Sequence, residues 1–297
     1  MPNPPPLPNI TPAQLPVVVL DYHNEGATNV ITTQQPDGNY SVQAIFASTT
    51  PAPATSIPVK LPDYAQNVLG PQQGVPWGQA GIMPQYNGYL GIVPNTFCVF
   101  HGLQGMPGGV TSAAYYECKL SNDDDGRTPP PFPDPDHQGD TSLHDAIGAL
   151  DAFIDAYAVL PEDQSETTTP KHGLPDFGAD LGLNLGDIGV AFWRQSASGS
   201  PLRCFYIYGD KGPAVKLGEG SVKMLETLGV PGADQGDGIE ATDIQQMGKG
   251  IIHIGFVGSG ASYIIAGSNP PQTTLDADGV IDLGIRLFAF FTSQPQS

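Results

Sequence analysis

Asp187-Ile-Gly-Val-Ala-Phe-Trp193 and Leu202-Arg-Cys-Phe-Tyr-Ile-Tyr208 are two apolar runs, rich in β-branched and aromatic residues, on either side of the turn-forming Ser198-Gly199-Ser200-Pro201. That combination predicts a β-hairpin. The second run leads directly into Gly209-Asp210, then through Gly212-Pro213 to Gly218-Glu219, so a strand delivers one acidic residue to its end and a short loop carries the chain to another.

The same signals recur outward from this hairpin. Upstream, residues 17–21, 40–46, 96–100, 113–120 and 152–160 read as strands, the second of them preceded by the turn Pro36-Asp37-Gly38-Asn39. Downstream, residues 251–257 and 262–266 read as strands, and 280–291 as a final strand or strand pair. One helix is predicted over 219–228, where Val222, Leu225 and Leu228 recur every three residues and Gly229 follows as a stop. Residues 51–95, broken by Pro and Gly, suit loops and short strands, as does the polar, proline-rich stretch 121–138. A further insert rich in Glu, Thr and Gly runs from Pro161 to Leu185.

The expected class is therefore α+β and β-rich, with a mixed or barrel-like central sheet and a few short helices. Residues 1–16 read as a proline-rich arm, extended and weakly ordered. Residues 17–105 form a β-rich part of unassigned role, continuous with a catalytic region over 106–297. The 37 glycines and 31 prolines in 297 residues agree with a fold of many turns.

Acidic residues outnumber basic ones 30 to 11, a formal charge of -19. Nucleic acid is a poor partner for such a chain, because phosphate binding needs Lys and Arg. A polycation would be drawn to it. No run of 18 apolar residues predicts a membrane span, and the proline-rich N-terminus does not read as a secretory signal. Cys98, Cys118 and Cys204 allow at most one disulfide and match no zinc spacing.

Asp210 and Glu219 are the leading chemical candidates. A glycosidase needs two carboxyl groups, one protonated to donate to the leaving oxygen and one ionised to activate water or attack the sugar. The glycines around both residues would let a polymer approach closely. As alternatives, Asp210 is a turn residue and Glu219 complements a helix dipole. Asp123-x-Asp125-Gly126 and Asp276-x-Asp278-Gly279 resemble parts of calcium loops, yet neither continues to the closing Glu, so they read as hairpin turns. No histidine pair has metalloenzyme spacing, and no metal or other cofactor is expected. Trp77, Tyr86, Tyr89, Trp193, Tyr206 and Tyr208 suit either sugar stacking or a core.

Several segments, in order, resemble the fungal-type chitosanases of glycoside hydrolase family 75. They are Tyr116-Glu-Cys-Lys-Leu-Ser-Asn-Asp123-Asp-Asp125-Gly126, Asp134-Pro-Asp-His-Gln138 with Thr141-Ser-Leu143, and Phe153-Ile-Asp155-Ala-Tyr-Ala-Val-Leu-Pro161. Leu185-Gly-Asp-Ile-Gly-Val190, the Gly209-Asp210 to Gly218-Glu219 stretch, and Ile251-Ile-His-Ile-Gly-Phe-Val-Gly258 continue the series, which spans residues 111–265. Ser121 and Asp124 depart from it, standing where the family has an aspartate and a cysteine.

The resemblance implies an inverting endo-hydrolase of the β-1,4 bonds of chitosan with Asp210 and Glu219 as its catalytic pair; we assign Glu219 as general acid and Asp210 as general base, the reverse being the alternative. Under the chitosanase reading Asp123, Asp125, Asp155 and Tyr208 are substrate-binding residues, with Asp123, Asp125 and Asp155 pairing with glucosamine ammonium groups; the alternative for these acids is turn formation or a solvated surface. The expected protein is a secreted monomer whose partner is chitosan or its oligosaccharides. The alternatives are a non-catalytic glycan-binding or cell-surface protein on the same fold, and a hydrolase of another amino-sugar polymer.

Overall fold

A computed structural model describes residues 7–12, 15, 27–46, 79–80, 83–103, 105–161, 174–193, 201–233 and 250–293. The strand expected over 17–21, Trp77, the turn 198–200 and residues 162–173 of the insert lie outside the described residues. In chain order the strands are β1 (Leu7–Ile10), β2 (Ala27–Gln34), β3 (Tyr40–Phe46), β4 (Gln79–Ala80), β5 (Cys98–His101), β6 (Ser112–Cys118), β7 (Ser121–Asp123) and β8 (His144–Asp145). There follow β9 (Gly148–Ala149), β10 (Tyr157–Pro161), β11 (Ile188–Trp193), β12 (Leu202–Gly212), β13 (Glu219–Ser221), helix α1 (Val222–Thr227), β14 (Ile251–Phe256), β15 (Ile264–Ile265), β16 (Gln272–Thr273) and helix α2 (Ala277–Ser293).

The fold is β-rich α+β. Its centre is a nine-stranded mixed sheet in the order β4-β5-β6-β14-β11-β12-β10-β13-β7. The predicted hairpin is its middle, β11 pairing with β12 from Ile188↔Ile207 to Trp193↔Leu202. From β5 to β12 neighbours run antiparallel, whereas β10 joins β12 in parallel and β13 joins β7 in parallel. Because β4 and β5 belong to this sheet, residues ahead of 105 complete the same unit as the region after it. The arm is not wholly irregular either, since Leu7–Ile10 pairs with β3 in a separate three-stranded sheet, β1-β3-β2.

Residues 280–291 are not a strand. They lie within the 17-residue helix α2, which buries Val280, Leu283, Leu287, Phe288 and Phe291, a spacing of three, four, one and three that tracks one helical face. Strands alternate every two residues, so this pattern distinguishes the two. Asp276 caps the helix: its Oδ1 accepts the Gly279 N–H at 2.8 Å, which makes the expected hairpin turn at 276–279 a helix start. The helix packs across the sheet, Phe288 against Phe192 and Phe205, and Phe291 against Phe100 and Phe256.

One sheet face, with Phe205, Ile207, Tyr157, Val159 and Ile254, joins the core under α2. The other, with Tyr206, Tyr208, Tyr116, Ala191 and Ile251, joins a second core. There Tyr86 and Tyr89, from a 3-10 turn at Pro84–Gly88, meet Phe177 edge to face. Cys98, Cys118 and Cys204 are all buried free thiols.

Candidate functional site

Strict alternation along β12 would put Asp210 on the face of Tyr206 and Tyr208. It does not lie there. The pairing of β12 with β10 runs Tyr157↔Ile207 and Ala158↔Tyr208, then skips to Val159↔Asp210, leaving Gly209 as a bulge. A bulge inserts one residue and turns the strand beyond it over, so Asp210 joins the face of Ile207 and Val159. Only glycine fits at the bulge, because a Cβ at 209 would sit 2.4 Å from Leu150 Cδ1 and 2.8 Å from Tyr157 Cβ.

The other strands bring further acids to that face. The register Ala158↔Gly220 sets Val159 beside Glu219, so Asp210, Val159 and Glu219 form one row across β12, β10 and β13. Two strand spacings separate the Cα atoms of the two acids by about 10 Å. Beyond β13, Ser221↔Asp123 places Asp123 in the next row on the same face. A flat sheet would leave Asp123 about 14 Å from β12. Yet carboxylate oxygens of Asp123, Asp125 and Asp210 lie within 4.8 Å of one another, so the sheet curls and this face is concave.

Each acid is held differently. Asp210 is 7 % exposed, and its Oδ1 accepts from Ser142 N at 2.8 Å, Ser142 Oγ at 2.6 Å and Lys211 N at 2.7 Å. Burial nevertheless raises its pKa, with those donors opposing the rise. Asp123 takes the Asp125 N–H at 3.0 Å and the Tyr157 hydroxyl at 3.2 Å. Burial first, then the Asp210 carboxylate, pushes Asp123 up to about 8. Asp125 is also raised, by burial. Glu219 is in an ion pair with Lys216, and its Oε2 lies over Gly212, where a Cβ would approach it to 2.8 Å. It sits on β13, three residues ahead of α1, rather than at the helix start; Ser221 is the cap, accepting Met224 N at 3.2 Å.

Two expected substrate-binding residues are placed otherwise. Tyr208 is fully buried on the opposite face, its hydroxyl 2.7 Å from that of Tyr116 and 3.0 Å from that of Tyr206, and no ligand reaches it. Asp155 is engaged internally: its Oδ2 is 3.3 Å from Arg127 Nη2 and 2.8 Å from the Asp151 N–H. Arg127 gathers Asp145 at 2.7 Å and Asp151 at 3.7 Å around the same guanidinium, so Asp155 belongs to an ion-pair cluster. Ser142 escaped the sequence reading as a residue that positions Asp210. Its only sequence signal is its place in Thr141-Ser142-Leu143.

Chemically, the concave face gathers four carboxyl groups, of which Glu219 pairs with Lys216 and Asp125 lies 3.9 Å from His137 Nδ1. Such a surface favours a positively charged ligand and holds protons at neutral pH. The chain matches no known family profile, and no curated protein is significantly similar to it.

Proposed function

We propose that the protein is a glycoside hydrolase acting on a polycationic glycan of the chitosan type, with Asp210 and Glu219 as its carboxyl pair. The observation that carries this reading is the Asp210-Val159-Glu219 row on a concave face, with Asp123 and Asp125 alongside. A spacing of about 10 Å between Cα atoms on one face leaves room for a water between carboxyl groups, as inversion requires. The formal charge of -19 supports a cationic substrate.

The surroundings favour the reverse of the acid and base roles expected from sequence. All three donors to Asp210 converge on Oδ1, which leaves Oδ2 to carry and deliver a proton. Glu219, held in a contact with Lys216, is the better base. An ammonium of the substrate would compete with Lys216 for Glu219 and be received by Asp123 and Asp125. The protein would need no cofactor for this chemistry.

Reducing-end release from soluble chitosan, with the anomer of the product followed by NMR, tests the reading. Turnover with inverted product that disappears in Asp210→Asn and Glu219→Gln is the expected result. Binding of chito-oligosaccharides without turnover would instead support a glycan-binding protein, and a product of retained configuration would exclude the water-mediated mechanism.

A further inference from the structure

The loop after β7 has a second acidic cluster, of which the proposed hydrolysis uses Asp125 alone. Asp124 is 5 % exposed, although its neighbours Asp123 and Asp125 are less enclosed. Among the described residues, its buried Oδ2 has no hydrogen-bond donor. The Asp134 carboxyl group neighbours the Asp124 side chain and, after burial, is the main cause that raises the Asp124 pKa to about 6. A buried carboxylate oxygen facing a second carboxylate needs a cation or a shared proton between them.

The remaining neighbours are those of a metal site. Ligand atoms of Asp124, Asp125 and His137 lie within 4.8 Å of one another, a spread that donors bound to one ion show. His137 Nδ1 is 3.0 Å from the Asp124 carbonyl oxygen and 3.9 Å from Asp125 Oδ1. The loop is braced around this arrangement: Asp125 Oδ1 accepts Gln138 N at 2.6 Å, and Asp134 Oδ1 accepts Asp136 N at 2.8 Å. Two carboxylates with one imidazole suit a first-row transition ion, whereas calcium and magnesium take oxygen ligands.

We infer that Asp124, Asp125 and His137 bind one divalent cation of the manganese or zinc class, which clips residues 124–137 into a closed loop. Sequence spacing concealed the site, because its histidine follows the first aspartate by 13 residues and fits no short metal motif. The ion would sit beside the concave face through Asp125, which borders both clusters. The inference does not depend on the proposed hydrolysis, since it concerns binding alone.

The test is calorimetric and thermal titration of the full chain, stripped with a chelator and desalted, with manganese, zinc, calcium and magnesium ions. One manganese or zinc ion per chain is expected, with a rise in melting temperature. Asp124→Asn and His137→Ala should each weaken binding by more than about 10-fold. Bound manganese should also show nitrogen hyperfine coupling that His137→Ala removes. Because His137 is only partly buried, that variant keeps the test valid if Asp124→Asn fails to fold. Absence of binding at millimolar ion, with Asp124→Asn raising the melting temperature, would overturn the inference in favour of a shared proton. Binding that survives both substitutions would overturn the location, and calcium bound as tightly as manganese would overturn the class of ion.

Discussion

The two faces of β12 carry polar clusters of opposite character. On one, Tyr116, Tyr206, Tyr208 and His253 form a buried chain of neutral donors and acceptors, with hydroxyl to hydroxyl and hydroxyl to Nδ1 distances of 2.7 to 3.0 Å. Burial alone lowers the His253 pKa to about 3, so its imidazole is neutral and stacks on Tyr116 with centroids 5.0 Å apart. On the other, Asp123, Asp125 and Asp210 converge as acceptors of one sign. The first cluster largely satisfies itself, every hydroxyl finding a partner within the protein. The second draws its donors from Ser142, Tyr157 and the Lys211 and Gln138 amides, and a proton or a cation would offset the like charge that remains. A polar cluster that closes on itself supports the fold, and one of uniform sign marks a place where something binds.

The largest effect that would break this contrast is on activity. Asp210→Asn should lower chitosan hydrolysis by about 10² to 10⁴-fold, the usual contribution of a positioned acid or base, while the melting temperature stays level or rises. A fall in both would move Asp210 into the class of structural polar groups.

Asp187 offers a calibrating case, a buried carboxylate with backbone donors, Asn184 N at 2.9 Å and Gly260 N at 3.1 Å. Burial outweighs those donors and raises its pKa to about 6. The folded state therefore holds the proton more tightly than the unfolded one. Its contribution is complete below the ordinary carboxylate pKa near 4 and lost as pH rises through about 6. Denaturant titrations from pH 3.5 to 7 should show a decline that Asp187→Asn flattens by up to about 3 kcal/mol. The readout is the slope against pH, which the substitution's own cost does not alter.

Gly209→Ala probes the device that separates the faces. With Leu150 and Tyr157 at 2.4 and 2.8 Å from the added methyl group, it should destabilise the fold by about 1 to 3 kcal/mol in urea unfolding and displace Asp210 enough to reduce turnover. Tyr208→Phe should act on stability only, costing about 1 to 2 kcal/mol as the Tyr116 and Tyr206 hydroxyls lose a partner. Unchanged turnover in that variant would sharpen the assignment of Tyr208 to the core, and lost turnover would undo it.

Much of the architecture was legible in local pattern. The hairpin of β11 and β12, the strands β6, β10 and β14, and the stop at Gly229 follow from β-branched and aromatic runs bounded by turn residues. Val280 to Phe291 misled because an apolar helix end and a buried strand share composition, and only the burial period separates them. The aromatic residues Tyr86, Tyr89, Trp193 and Tyr206, open to either role in the sequence, are all core.

For the candidate site, the sequence by itself determined the acidic surplus and placed Asp210 at a strand end with Glu219 a short loop later. Tyr208, expected to bind substrate, was set on the opposite face by tertiary structure. The Gly209 bulge is defined by pairing with β10, a strand some fifty residues away, so no local pattern announces it. The convergence of Asp123 on Asp210, the engagement of Asp155 by Arg127 and the closure of Asp124 against Asp134 were decided likewise by sheet curl and loop return. Charge is a property of composition, but whether a charge meets a partner, a rival or nothing depends on contacts between residues distant in the chain.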